Sequence, residues 1–159
     1  MIQDAEAGRF RHALMVRYGE TDQMGRVHHA NYLMYLEEAR TAMMRALGVS
    51  YAETERAGYG LPVRKADLRY RQAALYEDEL VVETRIERVG PASVTFGYRI
   101  LRPRDAALIA TGSTELACIR MTGREASLVR LPAELEAVFT QAARGGGQAG
   151  SSGSPNSAE

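Results

Sequence analysis

The sequence predicts an α+β domain in which one antiparallel sheet curls around a single long buried helix. Two observations carry that prediction. Tyr32, Leu36, Ala39, Met43 and Leu47 fall at i, i+4, i+7, i+11 and i+15, a stripe along one side of a helix of about five turns. After Gly60 the period becomes that of strands: LPVRKADLRYRQAAL, ELVVETRIERVG, ASVTFGYRILRP and ALIATGSTELACIRM are four strand-like runs. They are parted by short Glu-Asp, Gly-Pro and Pro-Arg-Asp breaks, which favour antiparallel neighbours.

Taken in order, residues 1–10 read as a flexible N-terminus and residues 11–141 as the single domain. The stretch HALMVRY from His12 to Tyr18 is rich in strand formers and stops at Gly19. From Glu20 to Val27 the pattern is lost and Gly25 interrupts it, as in a loop that turns sharply or brings backbone close to a ligand. In the helix that follows, Leu33, Met34 and Tyr35 widen the apolar stripe, so its first half requires cover on several sides. Gly48 stands where a helix C-terminus takes a left-handed residue. Ser50 and Glu53 have capping-box spacing for a second, short helix ending near Gly58. Pro132 opens an amphipathic helix, PAELEAVFTQAA, with Leu135, Val138 and Phe139 on one face. Residues 142–159 form a Gly/Ser-rich tail, expected to be disordered. A curled sheet of this kind keeps open edges, which pairing with a second copy would cover.

Composition narrows the function classes. The 159 residues are enough for one domain with a sizeable core, and 45% hydrophobic with 25% charged residues is ordinary globular usage. Twenty basic and twenty acidic residues cancel, so no global field favours nucleic acid or an anionic membrane. No run approaches the roughly 18 apolar residues of a membrane span, and MIQDAEAGRF lacks the features of a signal peptide. These features suggest a cytoplasmic protein. Cys118 is the single cysteine and sits in an apparent strand, where a buried small hydrophobe is the expected role.

Chemistry concentrates in YGETDQMGRVHHANYLMYLEEAR, residues 18–40. A helix N-terminus carries unsatisfied N–H donors and a positive partial charge, which hold a carboxylate or polarise a carbonyl. Asp22 ahead of such a terminus therefore suggests a base or nucleophile for acyl transfer. The same residue in a Gly-containing loop is also a common turn or cap residue, and the spacing leaves both readings open. His28 and His29 are not expected to bind a metal, because neighbouring side chains diverge and no further ligand follows at suitable spacing. Glu37 and Arg40, three apart on the helix, suggest a local ion pair.

VRYGETDQMGRVHHANYLMYLEEAR closely resembles the signature of the hotdog-fold acyl-CoA thioesterases of the 4-hydroxybenzoyl-CoA thioesterase/YbgC-like group. In that signature a strand ends in Thr-Asp-x-x-Gly-x-Val and the helix begins with Asn-Tyr. The likeness continues through LRYRQAALYEDELVVETRI, VTFGYRILR, ATGSTELACIRM and VRLPAELEAVF. It implies the hotdog fold, a sheet wrapped around a long helix, in a homodimer or homotetramer with sites at the subunit interface. It also implies that Asp22 is catalytic and that the backbone N–H of His29 polarises the thioester carbonyl. Tyr18, Gly25, Asn31 and Tyr32 match substrate-site positions that shape the loop and helix start. Glu37 and Arg40 match helix positions with a structural role. One departure stands out: Ala73-Ala74 replaces the Pro-Ala of many relatives, just before the acidic turn LYED.

The activity implied is hydrolysis of an acyl-CoA to a free acid and CoA, with no metal or redox cofactor required. A carrier-protein thioester is a variant substrate. An enoyl hydratase or dehydratase using His29 with Asp22, or a non-catalytic acyl-binding protein, are the rival classes. Tyr35, Met34, Met43, Met44 and Tyr59 are candidates for an acyl pocket, with ordinary core packing as the simpler expectation. For CoA phosphates the candidate cations are Arg64, Lys65, Arg69, Arg71, Arg102 and Arg104.

Overall fold

Alternating apolar residues set the sheet. Val82, Thr84 and Ile86 oppose Ile100, Tyr98 and Phe96 across one strand pair, and their alternation puts all six on one face. In the computed structural model, which describes residues 8–145, that face is turned to the long helix. The elements are β1 (Phe10–Met15), α1 (Asn31–Ala46), α2 (Tyr51–Arg56), β2 (Tyr59–Gly60), β3 (Val63–Tyr70), β4 (Glu79–Val89), β5 (Ser93–Arg102), β6 (Ala107–Ala117), β7 (Ile119–Thr122), β8 (Glu125–Leu128) and α3 (Ala133–Gly145). Five strands form an antiparallel sheet in the order β1-β4-β5-β6-β3. The hotdog arrangement expected from the sequence is therefore present, with β1 and β3 at the two edges.

Helix α1 buries Tyr32, Tyr35, Leu36, Ala39, Met43 and Met44, and Leu47 packs at the border. Gly48 follows with a φ of +83°, the left-handed turn that ends the helix. At α2 the Ser50 hydroxyl accepts the Glu53 amide at 3.4 Å, which is one half of the anticipated capping box. Helix α3 closes the core through Phe139, whose ring meets Phe96 edge-on at 6.1 Å. Among the described residues no helix is long and apolar enough to cross a membrane.

The structure corrects several expectations. The first strand stops at Met15, and Tyr18–Glu20 form a 3₁₀ turn, because the Glu20 side chain reaches back to the Arg17 amide at 2.9 Å. The single sheet becomes two. The last strand run breaks at Cys118, whose N–H donates to Ala92 O and whose carbonyl accepts from Val129. Beyond that break β7 pairs with β2 and β8 in a separate three-stranded sheet. The run from Leu61 ends as a strand at Tyr70, since the Arg71 and Gln72 amides both turn onto Ile109 O. Helix α3 extends to Gly145, past the expected boundary at 141, and β1 begins at Phe10; the remainder of the predicted tail and residues 1–7 lie outside the described residues.

Two polar contacts tie the layers. Asp78, at the end of the LYED turn, accepts Arg102 Nη1 at 2.9 Å, with both side chains buried. Arg102 also grips Asp105 and donates to Ala73 O at 3.1 Å. Ala73, where the resemblance implies proline, is thus held through its carbonyl. The expected Glu37–Arg40 pair does not form. Arg40 turns inward and donates to Tyr98 Oη at 3.2 Å and Thr114 Oγ1 at 3.4 Å, while Glu37 stays on the exposed face. Its Nε is buried without a partner, and among the described residues no carboxylate pairs with it.

These two buried arginines should respond oppositely to mutation. Asp78→Ala is expected to cost about 3 kcal/mol, because it orphans part of a buried cation. Arg40→Met is expected to fall within about 1 kcal/mol of wild type, since it orphans no carboxylate and Tyr98 and Thr114 keep their own 2.6 Å bond. Urea midpoints at unchanged slope measure both. A larger loss for Arg40→Met than for Asp78→Ala would reverse this ranking.

Candidate active site

The loop between β1 and α1 is a tight turn built on Asp22. Thr21 bridges Val27, the Asp22 N–H donates to Arg26 O at 2.7 Å, and the Gly25 N–H returns to Asp22 O at 3.0 Å. Asp22 Oδ1 accepts the Met24 amide at 2.8 Å and the Arg26 amide at 3.3 Å. Gly25 has a φ of +72°, a backbone state that a side chain disfavours even though open space surrounds the position. Asp22 thus performs the turn role that its sequence setting allowed. Its second oxygen, Oδ2, has no hydrogen-bond partner among the described residues.

The helix start is tied to this loop through one carbonyl. Glu20 O accepts both the His28 N–H, at 2.9 Å, and the Asn31 side-chain amide, at 2.7 Å. The Asn31 N–H donates to His28 O at 2.9 Å, and the Ala30 N–H to His28 Nδ1 at 3.2 Å. From β3, the Tyr70 hydroxyl donates to His29 O at 2.9 Å. Of the amides from His28 to Asn31, only that of His29 has no acceptor among the described residues. Its peptide is polarised by the bond onto His28 O, so a fixed donor is left at the positive end of a 16-residue helix.

The Glu20 carboxylate anchors the same hub from below. It accepts the Arg17 amide at 2.9 Å, the Arg17 guanidinium at 2.9 Å and the Tyr35 hydroxyl at 2.7 Å. Burial pushes the Glu20 carboxyl up, but those bonds outweigh it and hold the group below the usual carboxylate range. Burial, then the bond to Glu20, pushes the Tyr35 phenol far above its ordinary range. Sequence reasoning assigned no role to Glu20 or Tyr70. The three-residue spacing of Arg17 and Glu20 was the available signal for the first; no local signal marks the second.

The other predicted site residues divide. Tyr18 is 77% exposed and meets Tyr76 edge-on at 5.6 Å, so it stands at the rim. Tyr32 is buried; its hydroxyl accepts the Ala74 amide at 3.4 Å and its ring meets those of Tyr35 and Tyr70 edge-on. It acts by holding the 71–78 loop against α1. His28 and His29 do not diverge as expected: their rings stack at 4.2 Å. The five acyl-pocket candidates do not converge. Tyr35, Met43 and Met44 are core, Met34 is 60% exposed, and Tyr59 borders a separate groove between α2 and α3. Of the six cations, Arg102 and Arg104 are paired with acidic side chains and Arg64 with Glu115. Lys65, Arg69 and Arg71 remain exposed without an ion pair among the described residues. Cys118 is buried, which pushes its thiol up. Among the described residues no three His, Cys, Asp or Glu side chains cluster as a metal site would require.

A carboxylate with one oxygen bound and one without a partner among the described residues, in the loop that leads into a helix start with one such amide, is an arrangement suited to activating water or attacking a carbonyl and to holding an oxyanion. Comparison with known proteins relates the chain to thioesterases. Residues 16–142 match the family model described as the thioesterase-like superfamily. The acyl-CoA thioesterase YbgC of Haemophilus influenzae is 30% identical over 82% of this chain and 93% of its own length. The Bacillus subtilis protein YneP, whose name proposes an acyl-CoA thioesterase, is 39% identical over 64% of this chain and 73% of its own. Among solved structures, the DHNA-CoA thioesterase of Staphylococcus aureus superposes with a TM-score of 0.78 at 29% identity, covering 84% of this chain and 89% of that one.

The Glu20 hub generates a pH prediction. A carboxyl held below its usual range stabilises the fold above the unfolded-state value of about 4.3, and loses that contribution as pH falls through the folded value. Glu20→Gln is therefore expected to lower stability by about 1 kcal/mol at pH 7, with the difference closing below about pH 4. Urea unfolding across that range measures it; a difference independent of pH would mean that the charge at Glu20 has no part in the hub.

Proposed function

The chain belongs to the thioesterase-like superfamily, and from that premise we propose that it is an acyl-CoA thioesterase whose chemistry rests on Asp22 and the His29 amide. The observation that carries this reading is that Asp22 Oδ2 and the His29 N–H each lack a partner among the described residues, one in the loop and one at the helix start that Glu20 O ties to it. Asp22 Oδ2 attacks the thioester carbonyl or draws a proton from an attacking water. The carbonyl oxygen gains charge against the His29 N–H and the C–S bond breaks; in the nucleophilic route CoA leaves as its thiolate and takes a proton from solvent, and in the general-base route the proton that Asp22 drew from water passes to the leaving sulfur. With Asp22 as nucleophile, water then cleaves the acyl-aspartyl anhydride; with Asp22 as general base, the acid forms directly.

The remaining residues take supporting parts. Gly25 allows the turn that aims Asp22, Asn31 fixes the helix start, Tyr32 packs beneath it, and Tyr18 offers an exposed aromatic at the rim. The named activities of YbgC and of the S. aureus enzyme support a CoA thioester as the substrate. The exposed cations Lys65, Arg69 and Arg71 would suit CoA phosphates. A second copy completes the site in this reading. Strand β3 is an open edge, and Leu33, Met34 and Tyr70 are exposed close to the helix start.

Free-thiol release from short, long and aromatic acyl-CoAs tests the proposal. Asp22→Asn is expected to lose at least about 100-fold in kcat/KM at equal folded concentration. His29→Ala, which keeps the amide, is expected to lose less than about tenfold, the backbone rather than the ring being the donor. Turnover by Asp22→Asn equal to wild type would remove Asp22 from the mechanism. Collapse in His29→Ala would favour an imidazole acid–base role, and hydration of an enoyl-CoA would then be assayed.

A further inference from the structure

Helix α1 begins without a side-chain cap of its own. Its N-cap position is Ala30, a residue with no hydrogen-bonding group and one of the poorest caps. A 16-residue helix whose start must hold still for chemistry would ordinarily place Ser, Thr, Asp or Asn there.

The geometry points to His28 as the residue that replaces the cap, a positioning residue whose imidazole fixes the turn from which the His29 N–H projects. This rests on the thioesterase reading of that N–H. Three contacts meet at His28: its N–H donates to Glu20 O at 2.9 Å, its carbonyl accepts the Asn31 N–H at 2.9 Å, and its Nδ1 accepts the Ala30 N–H at 3.2 Å. The last requires a lone pair on Nδ1, hence the neutral ring with its proton on Nε2. The ring also stacks on His29 at 4.2 Å, which orients the residue that bears the free amide.

The consequence is a division of labour among consecutive amides. His28 and Asn31 spend theirs on backbone carbonyls, and Ala30 spends its own on the imidazole. Without Nδ1 the exposed Ala30 N–H turns to water, and the 28–31 turn loses the bond that holds it against rotation. Rotation swings the His29 N–H as well, since the two amides flank a single residue. A shift of about 1 Å in an oxyanion donor is enough to cost orders of magnitude in rate.

Two substitutions separate this role from bulk and stacking. His28→Phe keeps an aromatic ring without an acceptor; His28→Asn loses the ring but offers an amide oxygen to the N–H two residues on. The Phe variant is expected to lose about tenfold or more in kcat with KM within about twofold, and the Asn variant to keep at least about a third of wild-type kcat. Hydrogen exchange at the Ala30 amide, followed by NMR, is expected to quicken about tenfold or more in the Phe variant and to stay near wild type in the Asn variant. Wild-type kcat in His28→Phe overturns the proposal, as does unchanged Ala30 exchange. Should the Phe variant fail to fold, the Asn variant decides, and loss of its Ala30 protection or of its turnover overturns the proposal. Absence of thiol release by the wild type would sink the thioesterase reading instead, while Ala30 exchange in the two variants would still decide whether His28 holds the turn.

Discussion

The site depends on one carbonyl. Glu20 O accepts from the His28 backbone and the Asn31 side chain, so the end of the loop from β1 and the start of α1 cannot move apart without breaking two bonds. The same residue's carboxylate is held by Arg17 and by the buried Tyr35. Tyr35 belongs to the helix whose start the carbonyl fixes. Glu20 therefore couples the packing of α1, set by apolar burial over its length, to the position of its first amides. A helix anchored only by its apolar stripe would be free to fray at the end where chemistry is proposed.

The opposite wall of the loop is fixed by a second, independent set of contacts. Val27 N–H donates to Ala74 O, Arg26 bridges Leu75, and Ala74 N–H meets the Tyr32 hydroxyl. That segment is itself held by Asp78 and Arg102, a buried ion pair that also captures Ala73 O. Proline at position 73 would restrict the backbone covalently. Here Arg102 supplies the restraint through its hydrogen bonds to Ala73 O and Asp78. Glu77 in this turn has a φ of +64°, a conformation that the flanking Leu75–Asp78 bonds impose on a non-glycine residue.

What was legible in the sequence was what repeats. The stripe from Tyr32 to Met43 and the alternation in β4 and β5 are periodic, and periodicity reports burial directly. The break at Cys118 was invisible because apolar character runs straight through it; the strand ends there through bonds to Ala92 and Val129, both distant from any local signal. Arg40 was misread for a related reason. A neighbour three residues away is a strong local cue, yet the sheet offers Tyr98 and Thr114 to a long side chain on the inner face, and tertiary contact overrides helical spacing. At the site, the motif residues were legible as a group, but their division into turn former, clamp and donor was not. Asp22 uses one oxygen for the turn and keeps the other, a distinction that exists only in three dimensions.

Strand β3 links the site to the open edge of the sheet. Its last residue, Tyr70, meets the Tyr32 ring edge-on and donates to His29 O, so the helix start is braced by an edge strand with one free side. Leu33 and Met34 lie exposed on the first turn of α1, where the sequence demands cover on more sides than one chain provides. In the proposed mechanism, an edge that is both open and connected to the His29 peptide would couple assembly to activity. Covering β3 would stiffen Tyr70, and Tyr70 would stiffen the peptide that ends at His29 O. On that proposal the apolar excess of α1, a liability for a lone chain, is the surface through which that stiffening would be gained.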